Sequence, residues 1–193
     1  MSRVTIPKGA IDAIANQAAR FVKPEVEPRL MKQFKEIKEK MLLDFDNHPV
    51  TQELQRKTDA DPSAFVTRGS LFGFIGFEKT DDPTETVRQI LKQSSLEFVR
   101  IKSGVVDFKV VYPSKEELFS ATPLPWATGR SWLKGIESGI SGLGKYLNID
   151  SIDSRSGGGI QSDTNTGGGR FSATKYISEI LNSFIKKIDN LSL

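Results

Sequence analysis

The chain has 193 residues, of which 27 are Lys or Arg and 24 are Asp or Glu, and 37% of it is hydrophobic. A chain of this length can bury one core of ordinary size. It contains no cysteine and one histidine, which excludes disulfides, thiolate metal sites and cysteine nucleophiles. The formal charge of +3 is spread among interleaved acids and bases, so the basic balance alone does not indicate a nucleic-acid partner.

No apolar run approaches the roughly 18 residues of a membrane span. Residues 1–10 also lack the apolar centre of a secretory signal peptide. We therefore expect a soluble protein that is made in a cytoplasm and has no membrane partner.

Residues 1–48 have a helical pattern and are predicted to form an amino-terminal helical arm. Its second part is predicted to be a long amphipathic helix, because apolar side chains recur every three or four residues at Leu30, Phe34, Ile37, Met41 and Phe45. Its first part carries Ile11, Ile14, Ala18 and Phe21 or Val22 on one side. Between the parts, Pro24 and Pro28 are expected to break or kink the helix, and His48-Pro49 is expected to end it.

Residues 70–147 are predicted to form an α+β core. Leu71–Phe77 is apolar on both faces and contains two glycines, which favours a buried strand. A proline after Asp82 begins a helix, and Ser114 is expected to cap another. Two β-rich runs, Leu96–Ile101 and Val105–Tyr112, predict an antiparallel hairpin.

Arg130–Leu147 fits either a helix or a strand. Trp132, Ile136 and Ile140 share one face in both cases. Glycines cost about 0.5–1 kcal/mol each inside a helix. Because this stretch contains four of them, we favour a strand that extends the sheet.

Eleven of the 16 glycines lie between Gly129 and Gly169. Residues 148–170 are therefore predicted to form a long, flexible, glycine-rich loop, and the apolar stripe of residues 174–190 predicts a final helix. The expected fold is one α+β domain over residues 1–193. In it, a long amino-terminal amphipathic helix and a carboxy-terminal helix pack on a small, mostly antiparallel sheet.

The sequence contains no convincing catalytic motif. Gly139–Tyr146 has the glycine and lysine spacing of a phosphate-binding loop, but Tyr146 stands where that loop needs Ser or Thr to hold magnesium. The acidic pair Asp81-Asp82 is explained by helix capping, and His48 is expected in a turn or a cap. We therefore expect a protein that is not an enzyme, with no catalytic residue, no cofactor and no metal ligand.

Basic and aromatic side chains alternate along the glycine-rich third of the chain. Such a segment can become ordered against a neighbouring subunit, or it can follow a nucleic-acid backbone by charge and stacking. The candidate interface residues are Trp126, Arg130, Trp132, Arg155, Ile160 and Phe171. For the two tryptophans, packing in the core is the alternative.

Five segments of the chain resemble a family of virion structural proteins of tailed bacteriophages. They are Asp44–Leu54, Leu71–Phe77, Thr122–Ile136, Gly139–Gly144 and Ser154–Gln161. More loosely, the Pro-x-x-Thr-Gly-Arg turn at Pro125–Arg130, a long helix, a small antiparallel sheet and a closing helix are similar to the neck or tail-completion proteins that join head and tail.

This resemblance implies a structural role without catalytic residues. It implies a ring of identical subunits, commonly a hexamer, in the neck or tail of a virion, assembled in the host cytoplasm. The implied partners are the connector or adaptor complex and the tail terminator or tail tube proteins, with incidental contact to packaged DNA. The alternatives are a basic nucleic-acid-binding accessory protein and a structural component of the tail or baseplate.

Overall fold

The computed structural model describes residues 8–59, 63–66, 69–125, 127–139, 147–148, 160–161 and 174–191. Its helices are α1 (Lys8–Asp46), α2 (Pro49–Arg56), α3 (Leu71–Ile75), α4 (Pro83–Lys92), α5 (Lys115–Ser120), α6 (Trp132–Ser138) and α7 (Ile177–Asp189). Its strands form three antiparallel pairs: β1 (Ser95–Lys102) with β2 (Val105–Val111), β3 (Pro123–Leu124) with β4 (Ala127–Ser131), and β5 (Leu147–Asn148) with β6 (Ile160–Gln161). The predicted α+β class is confirmed. Apart from β5 and β6, the predicted glycine-rich loop lies outside the described residues.

Helix α1 is continuous from Lys8 to Asp46, so the predicted break at Pro24 and Pro28 is wrong. Both prolines are exposed, and each removes only one hydrogen bond from a helix that packs against the β1–β2 hairpin and α7. The end of the helix before His48-Pro49 is confirmed.

The core forms where the second half of α1 meets α7, and the predicted apolar stripe is the α1 side of this contact. Phe34, Met41 and Phe45 are buried, and the Phe34 and Phe184 rings pack edge to face with centroids 6.3 Å apart. The predicted final helix is confirmed, and it buries side chains along one stripe: Ile177, Ile180, Leu181 and Phe184. The first and last helices of the chain therefore cover each other.

The β1–β2 hairpin lies along α1, and its strand β1 runs in the direction opposite to the helix. Near its start, the Lys38 ammonium donates to the Ser94 carbonyl at 3.1 Å, and at its tip the Gly104 N–H donates to Asn16 Oδ1 at 2.9 Å. The 22 residues of helix and the 10 residues of strand between these contacts each span about 33 Å. A side chain at Gly104 would meet Ala15 Cβ at 3.0 Å, so glycine permits this close approach.

The predicted strand at Leu71–Phe77 is wrong, because residues 71–75 form the short helix α3. Ser70 caps this helix, its Oγ accepting from the Gly73 N–H at 3.2 Å. Gly76 ends it with φ of 91°, a left-handed conformation that favours glycine. The segment is apolar on both faces because α3 is enclosed by the core.

The strand favoured for Arg130–Leu147 is wrong over residues 132–138, which form helix α6. Ser131 supplies the cap, because its Oγ accepts from the Lys134 N–H at 3.0 Å. Trp132, Leu133 and Ile136 are all buried, as expected for one face of a helix. The preceding strand β4 pairs with β3 and does not extend the β1–β2 hairpin.

The carboxylate of Glu53 fixes the loop before α3. It accepts hydrogen bonds from the Ser63 hydroxyl, the Ala64 N–H at 3.1 Å and the Leu71 N–H at 2.9 Å. Glu53 is itself buried, and these donors replace the water that its charge would otherwise require.

We therefore expect Glu53→Ala to lower the free energy of unfolding by about 2–4 kcal/mol, since it leaves buried donors without an acceptor. Urea denaturation followed by circular dichroism measures this. Gln52→Ala, at an exposed position of the same helix, is the control and is expected to change stability by less than about 0.5 kcal/mol. Equal effects of the two substitutions would contradict the anchoring role.

Candidate functional site

A surface groove of about 760 Å³ lies where α5, the β3–β4 hairpin and α6 meet. Its walls carry opposite charges, with Glu116 on α5 and Arg130 and Lys134 on β4 and α6. Apolar side chains of Phe119 and Leu124 also line it. The groove therefore combines apolar surface with charges of both signs.

Short-range hydrogen bonds hold these elements together. The Thr122 hydroxyl lies 2.8 Å from the Leu118 carbonyl and 2.9 Å from Ser131 Oγ, and the Trp132 N–H donates to the Thr122 carbonyl at 3.0 Å. The predicted cap of α5 is confirmed as a capping box between Ser114 and Glu117. Gly129 has φ of 77°, a conformation that favours glycine, in strand β4 where the pairing with β3 is irregular.

Two exposed cations, Arg130 and Lys134, dominate the chemistry of the groove. Within the described part of the chain, neither forms an ion pair with a carboxylate. The hydroxyls of Ser131 and Ser138 are already bonded, the first to the Lys134 N–H and the second to the Lys134 carbonyl. A guanidinium and an ammonium in this position can bind a carboxylate or a phosphate of a partner.

Three of the six candidate interface residues lie in the described part of the chain, and of these the structure places Arg130 at the surface and Trp132 in the core. Arg130 lines the groove. Trp132 is only 2% exposed and packs on Phe77 with ring centroids 5.8 Å apart, so it belongs to the core, which is the alternative that the sequence leaves open. Ile160 is placed by its backbone in β6. The other three, Trp126, Arg155 and Phe171, lie outside the described residues.

Lys134 is one of the basic residues of the glycine-rich third, but it is not among the six candidate interface residues. In a strand, Lys134 would have been a polar residue between apolar neighbours. In α6 it stands near Arg130 on the groove wall. The signal that could have shown this was Ser131, a good helix cap directly before the apolar pair Trp132-Leu133.

His48 has the capping role that was predicted for it. Its Nδ1 accepts from the Val50 N–H at 3.2 Å at the start of α2, and its ring lies 4.6 Å from that of Tyr176. The Tyr176 hydroxyl in turn forms a buried hydrogen bond of 2.6 Å with Thr51 Oγ1. Burial raises the pKa of this tyrosine. The cluster joins α2 to the start of α7 in the core.

In the described part of the chain, no group of three or more His, Cys, Asp or Glu side chains is placed to hold a metal ion. Among the helices that the structure describes, none is long and apolar enough to cross a membrane.

Partial burial lowers the pKa of His48 below its ordinary value of 6.5, although the Lys175 backbone and the charges of Glu179 and Glu137 oppose the shift. The unfolded chain therefore binds this proton more readily than the folded chain does, and stability should fall as the pH drops below about 6.5. Asparagine at this position can still cap α2 but does not titrate. We expect His48→Asn to reduce the loss of stability between pH 7 and pH 5, measured by urea denaturation. Identical pH dependence in both proteins would contradict this role.

The chain was compared with protein-family models, with curated proteins and with solved structures, and no match was found in any of the three. The groove and the exposed surfaces of the described residues are therefore the structural basis for a functional proposal.

Proposed function

We propose that this chain is a structural virion protein of a tailed phage, a neck or tail-completion protein that forms a ring between the head connector and the tail. The observation that carries the proposal is the position of the Pro-x-x-Thr-Gly-Arg turn. Its Thr-Gly-Arg part lies in strand β4 of the β3–β4 hairpin, where Arg130 lines a surface groove. The long first helix, the small antiparallel hairpin and the closing helix α7 also agree with what the resemblance implies about the fold.

The groove fits a protein segment of a neighbouring subunit. Apolar surface at Phe119 and Leu124 accommodates an extended chain. Arg130 and Lys134, which form no ion pair with a described residue, can pair with a carboxylate of that chain. Glu116 on the opposite wall favours a segment that also carries a basic group. Six copies in a ring, bound to the connector or adaptor on one side and to tail terminator or tail tube proteins on the other, make up the proposed assembly. The ring joins the virion after its subunits are made in the host cytoplasm.

Electron microscopy of purified virions labelled with an antibody against this protein tests the location. We expect the label at the junction of head and tail, and label on the capsid faces or on no particle would overturn the proposal. Label at the baseplate would instead support the alternative of a tail or baseplate component.

The groove is tested by reversing its charge. We expect the double variant Arg130→Glu with Lys134→Glu to fold normally, because both side chains are exposed, and to reduce incorporation into virions at least tenfold. Lys92→Glu, an exposed lysine that does not line the groove, is the control. Incorporation is measured by immunoblotting of purified particles from a phage lacking the native gene. Equal incorporation of both variants would show that the groove is not an assembly contact.

A nucleic-acid-binding accessory protein is the second candidate, because the same two cations can contact phosphates. Titration with duplex and single-stranded DNA over a series of salt concentrations separates the candidates. Binding that weakens steeply with salt, and that is lost in the double variant, would favour this second function. Weak binding without salt dependence would exclude it.

A further inference from the structure

The first half of α1 has an apolar face that nothing in the described part of the chain covers. Ile11, Ile14, Phe21 and Val22 are 53%, 66%, 74% and 51% exposed. The β1–β2 hairpin lies on a different face of the same helix. There Ala19 is buried, and the Lys23 ammonium lies 3.7 Å from the centre of the Phe98 ring. The hairpin therefore stabilises this half of α1 and leaves its apolar face open.

In the second half of the same helix, the side chains on this face are exposed to solvent and charged. The row that contains Ile11, Ile14 and Phe21 continues at the same helical spacing through exposed, charged residues: Glu25, Arg29, Lys32, Glu36 and Glu39. An apolar row in one half and a charged row in the other is not expected if both halves face water. The apolar half is therefore a contact surface.

The spacing of these residues identifies the shape of the partner. Ile11, Ile14, Ala18 and Phe21 follow each other at intervals of three, four and three residues, which is the a and d pattern of a helix that packs on another helix. We call these four residues the α1 seam. Residues 8–27 carry three basic and three acidic side chains, so this stretch has no net charge to attract nucleic acid or an acidic membrane.

We propose that the α1 seam binds the α1 seam of a second copy, with the two helices antiparallel across a two-fold axis. This arrangement places Ile14 opposite Ala18 of the partner subunit, a large side chain against a small one, and Ile11 opposite Phe21 of the partner subunit. It also brings Lys8, at one end of the seam, next to Glu25 of the partner subunit. A parallel pair would instead place Glu25 against Glu25 and Phe21 against Phe21 of the partner subunit.

The size of the surface predicts a weak dimer. Two patches of this kind, with their flanking residues, bury on the order of 1,000 Å² in total, near the lower limit for specific interfaces. We therefore expect dissociation in the micromolar range. The two-fold pair joins copies of opposite polarity, whereas a ring closes through contacts between two different faces. The pairing is therefore a separate contact, and its failure would leave the proposed ring untouched.

The absence of native cysteine allows a direct test of the register by disulfide formation in the full-length protein. We expect the double variant Ile14→Cys with Ala18→Cys to form a covalent dimer under mild oxidation, with position 14 linked to position 18 of the partner subunit. Each single variant should cross-link poorly, because its two Cα atoms would lie on the order of 10 Å apart, beyond the roughly 7 Å that a disulfide bridges. Efficient cross-linking of the single variants, or none in the double variant, would overturn the proposal.

Analytical ultracentrifugation of the cysteine-free protein tests the pairing itself. We expect a concentration-dependent dimer that Phe21→Lys weakens at least tenfold. Lys32→Glu is the matched control, because it changes an exposed residue on the same row in the charged half. Circular dichroism verifies that both variants remain helical. A wild-type protein without this dimer up to about 100 µM, or equal effects of the two substitutions, would show that the seam does not bind a second copy.

Discussion

The structure depends on the burial of one apolar stripe on α1 by the last helix of the chain. Phe34 contacts Phe184, and Phe45 stacks on Tyr176 with ring centroids 5.9 Å apart. The stripe lies on α1, and the side chains that bury it lie on α7. The elements between these two helices in the sequence therefore pack around the helix pair. Helices α2 and α4 pack beside this pair, and α6 contacts α7. Helix α6, which forms one wall of the groove, therefore rests against the helix that covers α1.

The carboxylate of Glu137 connects the groove to helix α7. Helix α7 has no side-chain cap of its own, and Glu137 of α6 accepts from the N–H groups of Tyr176 and Ser178, both at 2.9 Å. An acidic group beside the first turn of a helix is favourable because the free N–H groups there carry partial positive charge. The position of α6, and with it the groove wall that carries Lys134, is thus fixed by the start of α7.

Much of the fold is encoded locally and could be predicted from sequence. The stripe of α1, the hairpin, the Ser114 capping box and α7 each follow from periodicity or capping within a few residues. The prediction of a strand at residues 71–77 was wrong because a segment enclosed by the core is apolar on all sides. Periodicity then cannot distinguish a short helix from a strand. The groove could not be predicted for another reason. Its walls come from three elements, and tertiary contacts that leave no local sequence pattern set how these elements approach each other.

The two prolines inside α1 have a mechanical consequence. Pro24 and Pro28 cannot donate to the carbonyls of Arg20 and Pro24, so two hydrogen bonds about one turn apart are missing where the helix leaves the core. Sharp kinks in helices occur most often at prolines. The β1–β2 hairpin crosses this point, because it is bonded to α1 at Lys38 on one side of the prolines and at Asn16 on the other. The hairpin therefore braces α1 across the turns where hydrogen bonds are missing, and it ties the part of α1 that carries the seam to the part that packs on α7.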